Sequence, residues 1–241
     1  MPWTRSVRKA FAKLGYRITR AQDGIGGDAF FDMAGLVSSD SPTVFDVGAN
    51  VGQTIERVRS IFPKAQIHSF EPSPTTFEKL KKNAAHLSGV HTWNCALGSS
   101  SGQMPLLENK MSEWTSFLPL GEFGWGSVDK TTQVRMATLD EFCEEHSIPH
   151  VDILKSDTQG YDLEVLKGGE ETFRKGGVGI VYCEIIFSDM YKNIPSFGKL
   201  YDFLIDRDFR LVSFYDVTYE KGLASWTDGV FVHRAYMNRS R

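Results

Sequence analysis

The segment that most constrains this chain spans residues 44–54 and reads VFDVGANVGQT. Residues 43–47 are β-formers introduced by Pro42, which is typical of a strand covered on both faces. Gly48 and Gly52 bracket a turn. The residues after it place apolar groups at helical spacing, at Ile55, Val58, Ile61 and Phe62. The segment therefore predicts a buried strand that runs through a glycine turn into a helix.

A second predicted strand, residues 66–70, ends at Glu71, 19 residues after Gly52. This is the layout of a nucleoside site, in which the acid binds the ribose hydroxyls. In dinucleotide sites the second glycine lets the backbone approach a pyrophosphate, but this chain has Asn50 there. A nucleoside without phosphates suits this turn better, and S-adenosylmethionine is the common one. Asp46 agrees, because its carboxylate suits an ammonium or sulfonium better than a phosphate.

Strand and helix patterns alternate through residues 43–211, which predicts an α/β fold with a parallel sheet and helices on both faces. The other strand patterns cover residues 90–97, 103–107, 133–137, 151–157, 178–184, 209–215 and 229–233. A capping box of Thr138 and Glu141 indicates a helix start before residue 139.

Ligands of such sheets bind beyond the carboxyl ends of the strands, so the residues that close the strands are expected to meet in one crevice. These residues are Asp46, Glu71, Ala96, Asp157 and Glu184. Ionising four acids at one edge of a sheet is unfavourable unless cations or hydrogen bonds stabilise the carboxylates. A sulfonium, an amino group and two ribose hydroxyls would together stabilise most of these carboxylates.

The pattern divides the chain into an N-terminal helical extension (residues 1–40), one domain (41–235) and a short tail (236–241). Residues 103–137 form an insertion that is expected to be a substrate lid, because a connection this long is usually functional or disordered. It carries four aromatic side chains, Trp114, Phe117, Phe123 and Trp125. They could stack on a sugar or another ring, or they could merely attach the insertion to the domain.

Composition excludes several classes of protein. The formal net charge of −3 over 241 residues gives no basic field for nucleic acid. Cys95, Cys143 and Cys183 are widely spaced, which argues against disulfides and zinc and suits a reducing, cytoplasmic compartment. Cys95 and Cys183 lie in apolar strand patterns and are expected in the core. No apolar run approaches the length of a membrane span.

Residues 1–20 carry six cations and no acid, and Val7, Phe11, Leu14 and Ile18 recur at helical spacing. This basic amphipathic helix could contact a membrane surface or an anionic partner. The interpretation we favour is a helix that packs on the domain and keeps a solvated basic face. The composition also resembles that of an organelle transit peptide.

Four blocks of the sequence, residues 44–54, 70–74, 137–142 and 152–168, together resemble the FkbM-type S-adenosylmethionine-dependent methyltransferases. The last block is the most specific, since family members carry a similar strand, D-x-x-G turn and L-x-x-L-K-G helix. The similarity runs from about residue 42 to 233. It implies a seven-stranded Rossmann-like sheet with an antiparallel last strand, and O-methylation of a hydroxyl on a sugar, glycan or natural product. The sequence departs at Gln159, where the family commonly has Glu.

The resemblance implies cofactor contacts at the strand ends. Asp46, Gly48, Asn50 and Gly52 would hold the methionine half, Glu71 the ribose with Pro72 and Ser73 beside it, and Ala96 and Leu97 would border the adenine. Asp157 would lie nearest the transferred methyl group.

An alcohol is a poor nucleophile, so a base near the acceptor hydroxyl is expected. Asp157 is the first candidate, Glu184 the second, and Tyr161 or His68 are outsiders. Asp157 could instead cap a helix or bind the amino group of the cofactor. Asp157 and Glu184 could also share a Mg²⁺ ion, a possibility that we do not favour because water would have to supply the other ligands. Lys155 is expected to pair with a carboxylate.

Two alternatives to the methyltransferase remain at this point. A nicotinamide-dependent oxidoreductase shares the opening turn and Glu71 but needs a pyrophosphate site near Asn50. A non-catalytic protein that binds S-adenosylmethionine would show no turnover with any acceptor.

Overall fold

The computed structural model describes residues 25–237 and, before them, residues 7, 9–11, 13 and 14. Most of the amphipathic helix predicted within residues 1–20 and most of the tail at residues 236–241 therefore lie outside the described residues. Within the described part, no helix has both the length and the apolar character that a membrane crossing requires.

The chain alternates strands with helices along most of its length. The strands are β1 (Thr43–Val47), β2 (Gln66–Phe70), β3 (Val90–Trp93), β4 (Ala96–Leu97), β5 (Gly102–Asn109), β6 (Val128–Ala137), β7 (Val151–Ser156), β8 (Val178–Ile186), β9 (Phe209–Glu220) and β10 (Leu223–His233). The helices are α1 (Ala29–Ala34), α2 (Gln53–Ile61), α3 (Pro74–Ala84), α4 (Leu139–Glu145), α5 (Asp162–Lys167), α6 (Glu170–Arg174), α7 (Phe197–Ile205) and α8 (Arg234–Met237).

Seven strands form the central sheet in the order β3-β2-β1-β7-β8-β10-β9. The first five are parallel to their neighbours, whereas β10 is antiparallel to both β8 and β9. The predicted α/β class, the seven-stranded sheet and its antiparallel last strand are confirmed. The order reverses beside β1, so the crevice between the turns after β1 and β7 is the expected ligand position.

Helices cover both faces of this sheet. Phe45 and Leu154 belong to the core that α4, α5, α6 and α7 cover, and Val44 and Ile153 to the core that α1, α2 and α3 cover. Cys95, Cys143 and Cys183 are buried in the first of these cores with free thiols, as expected for Cys95 and Cys183.

Capping residues mark the starts of two helices, one of which was expected from the sequence. The capping box of Thr138 and Glu141 is present at the start of α4. Ser73 caps α3, and Pro74 occupies the first turn of that helix.

One predicted strand is wrong. Residues 90–97 were expected to form a single strand, but the chain turns between β3 and β4. The Asn94 amide donates to the carbonyl oxygens of Glu71 and Pro72, at 2.9 and 3.1 Å, and these bonds hold the turn. β4 leaves the central sheet and pairs with β6 in a second sheet of order β4-β6-β5. The strands that flank the insertion are also longer than predicted, and they pair antiparallel.

Gly48 packs the turn after β1 directly against the turn after β7. Its φ is +79°, and a Cβ atom there would lie 2.0 Å from the backbone oxygen of Asp157. We expect Gly48→Ala to lower the free energy of unfolding by at least about 1–3 kcal/mol, the usual cost of such strain. Urea denaturation measures this effect. Gly198→Ala is the control, because Gly198 is exposed within α7 and an added Cβ atom would meet only Oγ of Ser196 at 3.8 Å, an ordinary contact, so alanine there should be neutral or stabilising.

Candidate active site

A cavity of about 240 Å³ lies beyond the carboxyl ends of β1, β2 and β7. Its walls come from the turns after these strands, from β4 and from the insertion between β5 and β6. Of the residues predicted to contact a cofactor, the following line it: Gly48, Asn50, Glu71, Pro72, Ala96, Leu97 and Asp157. The crevice expected from the strand ends is therefore present at the predicted edge of the sheet.

The turn after β1 is fixed against the end of β2. The backbone N–H groups of Gly48 and Ala49 both donate to the carbonyl oxygen of Phe70, at 3.1 and 2.9 Å. Asn50 follows with a φ of +46°, a conformation that Asn tolerates better than most residues. Its backbone N–H donates to Oε2 of Glu71 at 2.9 Å.

Glu71 is a buried carboxyl at the cavity wall. Its Oε1 accepts the backbone N–H of Ser73 at 2.9 Å, so each oxygen holds one backbone donor. Burial raises its pKa to about 7, with Asp46 and Glu108 adding to the rise and the two backbone donors opposing it. Each carboxylate oxygen can accept more than one hydrogen bond, which leaves acceptor capacity for a pair of hydroxyls. This remaining acceptor capacity fits the two hydroxyls of a ribose.

Asp46 does not line the cavity. Its side chain is fully buried, and Oδ1 lies 3.0 Å from Nζ of Lys155. The structure therefore does not place Asp46 in contact with the cavity, as the sequence predicted, but behind the cavity wall. The prediction that Lys155 pairs with a carboxylate holds for this contact. Burial alone would lower the pKa of Lys155, but Asp46 and Asp157 outweigh burial and raise it.

Asp157 follows β7 and is an exposed strand-end acid on the cavity wall. Its side chain is 44 % exposed, and its Oδ2 lies 3.6 Å from Nζ of Lys155. Its Oδ1 accepts a hydrogen bond of 3.0 Å from Nε2 of Gln159. A carboxylate held in this way is positioned to accept a proton from a molecule in the cavity.

The cavity therefore offers a buried acid after β2, a turn after β1 that carries the Asn50 side chain, and an exposed acid after β7. A family model described as the methyltransferase FkbM domain matches residues 46–211, well over half of the chain. The chain belongs to the FkbM methyltransferase family. Membership in this family makes it a methyltransferase dependent on S-adenosylmethionine.

Two relatives with described activities support this assignment. The chain is 26% identical over 180 residues to "2-O-methyltransferase NoeI" of Sinorhizobium fredii, which covers 70% of this chain and 73% of that protein. It is 31% identical over 134 residues to "Hexuronic acid methyltransferase AglP" of Haloferax volcanii, which covers 54% of this chain and 51% of that protein. The chain thus spans between about half and three quarters of these relatives.

A solved structure agrees at the level of the fold. A putative rRNA-methylase from Clostridium thermocellum superimposes with a TM-score of 0.52 over 89% of this chain and 97% of that one, at 10% sequence identity. The likeness establishes the Rossmann-like methyltransferase fold.

In this FkbM methyltransferase the insertion covers one side of the cavity. A short 3₁₀ helix, Ser112–Trp114, lines the cavity, and Oγ of Ser112 donates to Oδ1 of Asn50 at 3.1 Å. Oγ of Ser116 donates to the backbone oxygen of Gln159 at 2.7 Å. These two bonds tie the insertion to the turns after β1 and β7.

The aromatic residues of the insertion divide between the two roles considered for them. Trp114 and Phe117 line the cavity. Trp125 stacks on Trp114 with ring centroids 5.8 Å apart and is 44% exposed. Phe123 instead packs against the buried cluster of Ile186, Met190 and Tyr191 and attaches the insertion to the domain.

Glu184 lies behind Gln159 rather than at the cavity. Its Oε2 accepts a hydrogen bond of 3.1 Å from Nε2 of Gln159, and the residue is buried. Burial, with further contributions from Asp157, Asp162 and other acids, raises the pKa of Glu184 well above its ordinary value. The neutral form is therefore favoured, which weakens its case as a base.

Two predicted cofactor contacts face other parts of the protein. Gly52 caps α2 with a φ of +100°, and a Cβ atom there would lie 3.1 Å from the side chain of Leu80. Ser73 is buried, and its Oγ donates to Oε2 of Glu108 at 2.6 Å. Neither Gly52 nor Ser73 lies on the cavity wall.

The two outsiders for the role of base also lie off the cavity wall. The ring of His68 packs between His91 and Phe45 on the sheet, and burial, assisted by two neighbouring histidines, lowers its pKa to about 4. The Tyr161 ring packs against Phe117 at 4.9 Å, and burial raises the pKa of its hydroxyl.

Sequence reasoning missed several residues of the site. Ser112, Ser116 and the backbone of the insertion reach the cavity only through tertiary contacts, for which the sequence carries no local signal. Gln159 was noted only as a departure from the family pattern. Its position two residues after Asp157 at a turn could have indicated a contact with that acid.

Proposed function

We propose that this chain transfers the methyl group of S-adenosylmethionine to a hydroxyl of a sugar or a sugar-containing acceptor. The observation that carries the proposal is the Glu71 carboxyl, buried at the cavity wall with one backbone donor on each oxygen. A ribose diol satisfies this arrangement and a phosphate does not. A nicotinamide cofactor would also offer a ribose to Glu71, so this alternative is disfavoured by the side chain of Asn50, which stands where a dinucleotide turn needs glycine to approach the pyrophosphate.

The residues present fit the donor in three places. Glu71 would accept hydrogen bonds from the ribose, and Ala96 and Leu97 would border the adenine. The turn at Gly48 and Asn50 would face the methionine half. Asp46 contributes negative charge from behind the wall rather than by direct contact.

S-adenosylmethionine, when bound, supplies a methyl carbon activated by a positive sulfur. What remains for the chain is to align the acceptor hydroxyl, to exclude water and to remove a proton. The insertion, attached to the turns after β1 and β7 through Ser112 and Ser116, would shield one side of the bound donor and acceptor from water. Oδ2 of Asp157 takes the proton of the hydroxyl, and Lys155 at 3.6 Å keeps that oxygen in place.

The acceptor class is inferred from relatives and from the cavity wall. The names of NoeI and AglP give a 2-O-methyltransferase and a hexuronic acid methyltransferase. Trp114 and Phe117 give the cavity apolar faces on which the C–H face of a sugar ring can pack. A natural-product hydroxyl remains the alternative acceptor. A cytoplasmic location and the lack of a nucleic-acid partner stay predictions from the sequence.

A methyl-transfer screen with labelled S-adenosylmethionine tests the proposal. Sugars, uronic acids, glycolipids and phenolics are offered in parallel, each with EDTA and with Mg²⁺. We expect label in a sugar or uronic acid. Label only in phenolics would overturn the acceptor class, and donor binding without transfer to any acceptor would favour the non-catalytic alternative.

The raised pKa of Glu71 predicts that donor binding depends on pH. The carboxylate accepts the ribose hydroxyls, so below its pKa of about 7 a proton must leave before binding. We expect the Kd for S-adenosylhomocysteine to rise toward about tenfold per pH unit below 7 and to level off above it. Calorimetric titration between pH 5.5 and pH 8 measures this change.

Two variants sharpen that measurement. Glu71→Gln should weaken binding by about 1–3 kcal/mol at pH 8 and abolish the pH dependence. Glu78→Gln, on the exposed face of α3, should behave as the wild type. A wild-type Kd that is constant over this range would contradict the role given to Glu71.

A further inference from the structure

Gln159 occupies the centre of the site although no acid–base role was assigned to it. It lies in the turn between β7 and α5 with a φ of +54°, and it is only 8% exposed. Its backbone oxygen accepts the Ser116 hydroxyl at 2.7 Å. The turn and the insertion therefore hold this side chain in one place from two directions.

The orientation of the Gln159 amide is fixed by Tyr191. The Tyr191 hydroxyl donates to Oε1 of Gln159 at 2.7 Å. Burial raises the pKa of that hydroxyl, so it keeps its proton and remains a donor. The same hydroxyl also lies 3.5 Å from the backbone oxygen of Trp114, and the amide oxygen faces Tyr191 while the NH₂ group faces acceptors on the opposite side.

Two carboxyl groups lie on that opposite side. Nε2 of Gln159 is 3.0 Å from Oδ1 of Asp157 and 3.1 Å from Oε2 of Glu184. An amide NH₂ has two hydrogens, and each of them has one acceptor here. The amide engages Oδ1 of Asp157, while Oδ2 lies 3.6 Å from Nζ of Lys155 and keeps acceptor capacity for a molecule in the cavity.

Two carboxyl groups that share a site usually need a shared proton or a cation between them, because like charges so close together raise the cost of ionisation. A divalent cation that bridges two carboxylates and lowers the pKa of an acceptor hydroxyl is one common solution. In this chain burial favours the protonated form of Glu184, and the position between the two carboxyl groups belongs to a neutral amide whose own oxygen already accepts from Tyr191.

We propose that Gln159 is a positioning residue for methyl transfer, and that its amide bridges Asp157 and Glu184 in the place where a divalent cation would otherwise bind. The reaction is then independent of divalent metal, and Oδ2 of Asp157 is the oxygen that receives the proton of the acceptor. The inference rests on the proposed function. It adds which residue holds the base and why no cation is required.

A carboxylate at position 159 provides the sharpest test. Gln159→Glu removes the NH₂ group and brings a third carboxylate to Asp157 and Glu184, a set of hard oxygen ligands that suits Mg²⁺ or Mn²⁺. Gln159→Leu removes the same two hydrogen bonds and adds no ligand. Comparing these two variants separates the effect of losing the amide bridge from the effect of gaining a cation site.

Steady-state kinetics in EDTA and in Mg²⁺ give the first readout. Wild type should turn over equally in both. In EDTA both variants should lose about tenfold to a hundredfold in kcat, as expected for lost hydrogen bonds to charged groups, with the KM for S-adenosylmethionine within about twofold. Mg²⁺ should restore Gln159→Glu and should leave Gln159→Leu unchanged. A wild type that stops in EDTA, or a Gln159→Glu variant that is fully active in EDTA or is not rescued by Mg²⁺, would overturn the proposal.

Electron paramagnetic resonance of Mn²⁺ gives a readout that does not require turnover. Gln159→Glu should bind one Mn²⁺ ion that wild type and Gln159→Leu do not bind. If wild type binds S-adenosylhomocysteine but methylates nothing, the proposed function fails, and the Mn²⁺ titration still decides the role of the amide. A tight Mn²⁺ site in wild type, or no gain in Gln159→Glu, would contradict that role.

Discussion

Replacing Asp157 with asparagine is expected to lower kcat for methyl transfer by about 10²–10⁴-fold, the usual contribution of a positioned base. Asparagine keeps the size of the side chain and an oxygen that can accept from Gln159 Nε2. It cannot accept a proton from the acceptor hydroxyl. The KM and Kd for the donor should therefore change little, and the loss should fall on the chemical step.

A matched control and a binding measurement accompany this variant. Asp202→Asn, on the exposed part of α7, makes the same chemical change away from the cavity and should keep kcat within about twofold of wild type. If Asp157→Asn retains kcat, Asp157 is not the base. If it loses S-adenosylhomocysteine binding instead, Asp157 belongs to the site of the donor's amino group, the alternative considered from the sequence.

Replacing Lys155 with methionine is expected to lower the free energy of unfolding by about 3–5 kcal/mol, because it leaves a buried carboxylate without its cation. Asp46 is fully buried, and Lys155 Nζ at 3.0 Å is its cationic partner. Within the described residues, neither carboxylate oxygen of Asp46 has a hydrogen-bond donor that meets the usual geometric limits. Urea denaturation at pH 7 measures the loss.

A double variant tests the reason for that loss. Asp46→Leu combined with Lys155→Met removes both charges, and we expect it to recover most of the stability, since replacing a buried pair with apolar groups is often neutral or stabilising. Lys199→Met, at an exposed position of α7, should stay within about 0.5 kcal/mol of wild type. A Lys155→Met variant that loses less than about 1 kcal/mol would show that the pair is not what stabilises this part of the sheet.

The sheet could be predicted because its strands are short apolar runs separated by helices with clear starting signals. Thr138 acts as a cap in the structure, as the sequence around it indicated. The break between β3 and β4 could not be predicted, because residues 90–97 read as one continuous strand. The side chain of Asn94 makes the turn through bonds to a distant part of the chain, and local pattern does not contain that information.

The rule that ligands bind beyond the carboxyl ends of parallel strands predicted the site but not the direction of every side chain. Glu71 and Asp157 follow the last residues of β2 and β7, so their side chains are free to reach the cavity. Asp46 lies inside β1, where alternation turns it to the same face as Val44 and away from the ligand. Applying alternation to residues 43–47 would have placed Asp46 on the face of Val44, whereas its position beside Lys155 follows from the register between β1 and β7. The residues of the insertion needed the tertiary structure.

A crystal structure of the chain with S-adenosylhomocysteine is the most direct test of the central claim, that a nucleoside binds across the ends of β1 and β2 with its ribose on an acid rather than on a phosphate cradle. We expect density for the nucleoside in the cavity, with both ribose hydroxyls within hydrogen-bond distance of the Glu71 carboxylate. An empty cavity at saturating ligand, or a nucleoside bound elsewhere on the protein, would contradict the claim.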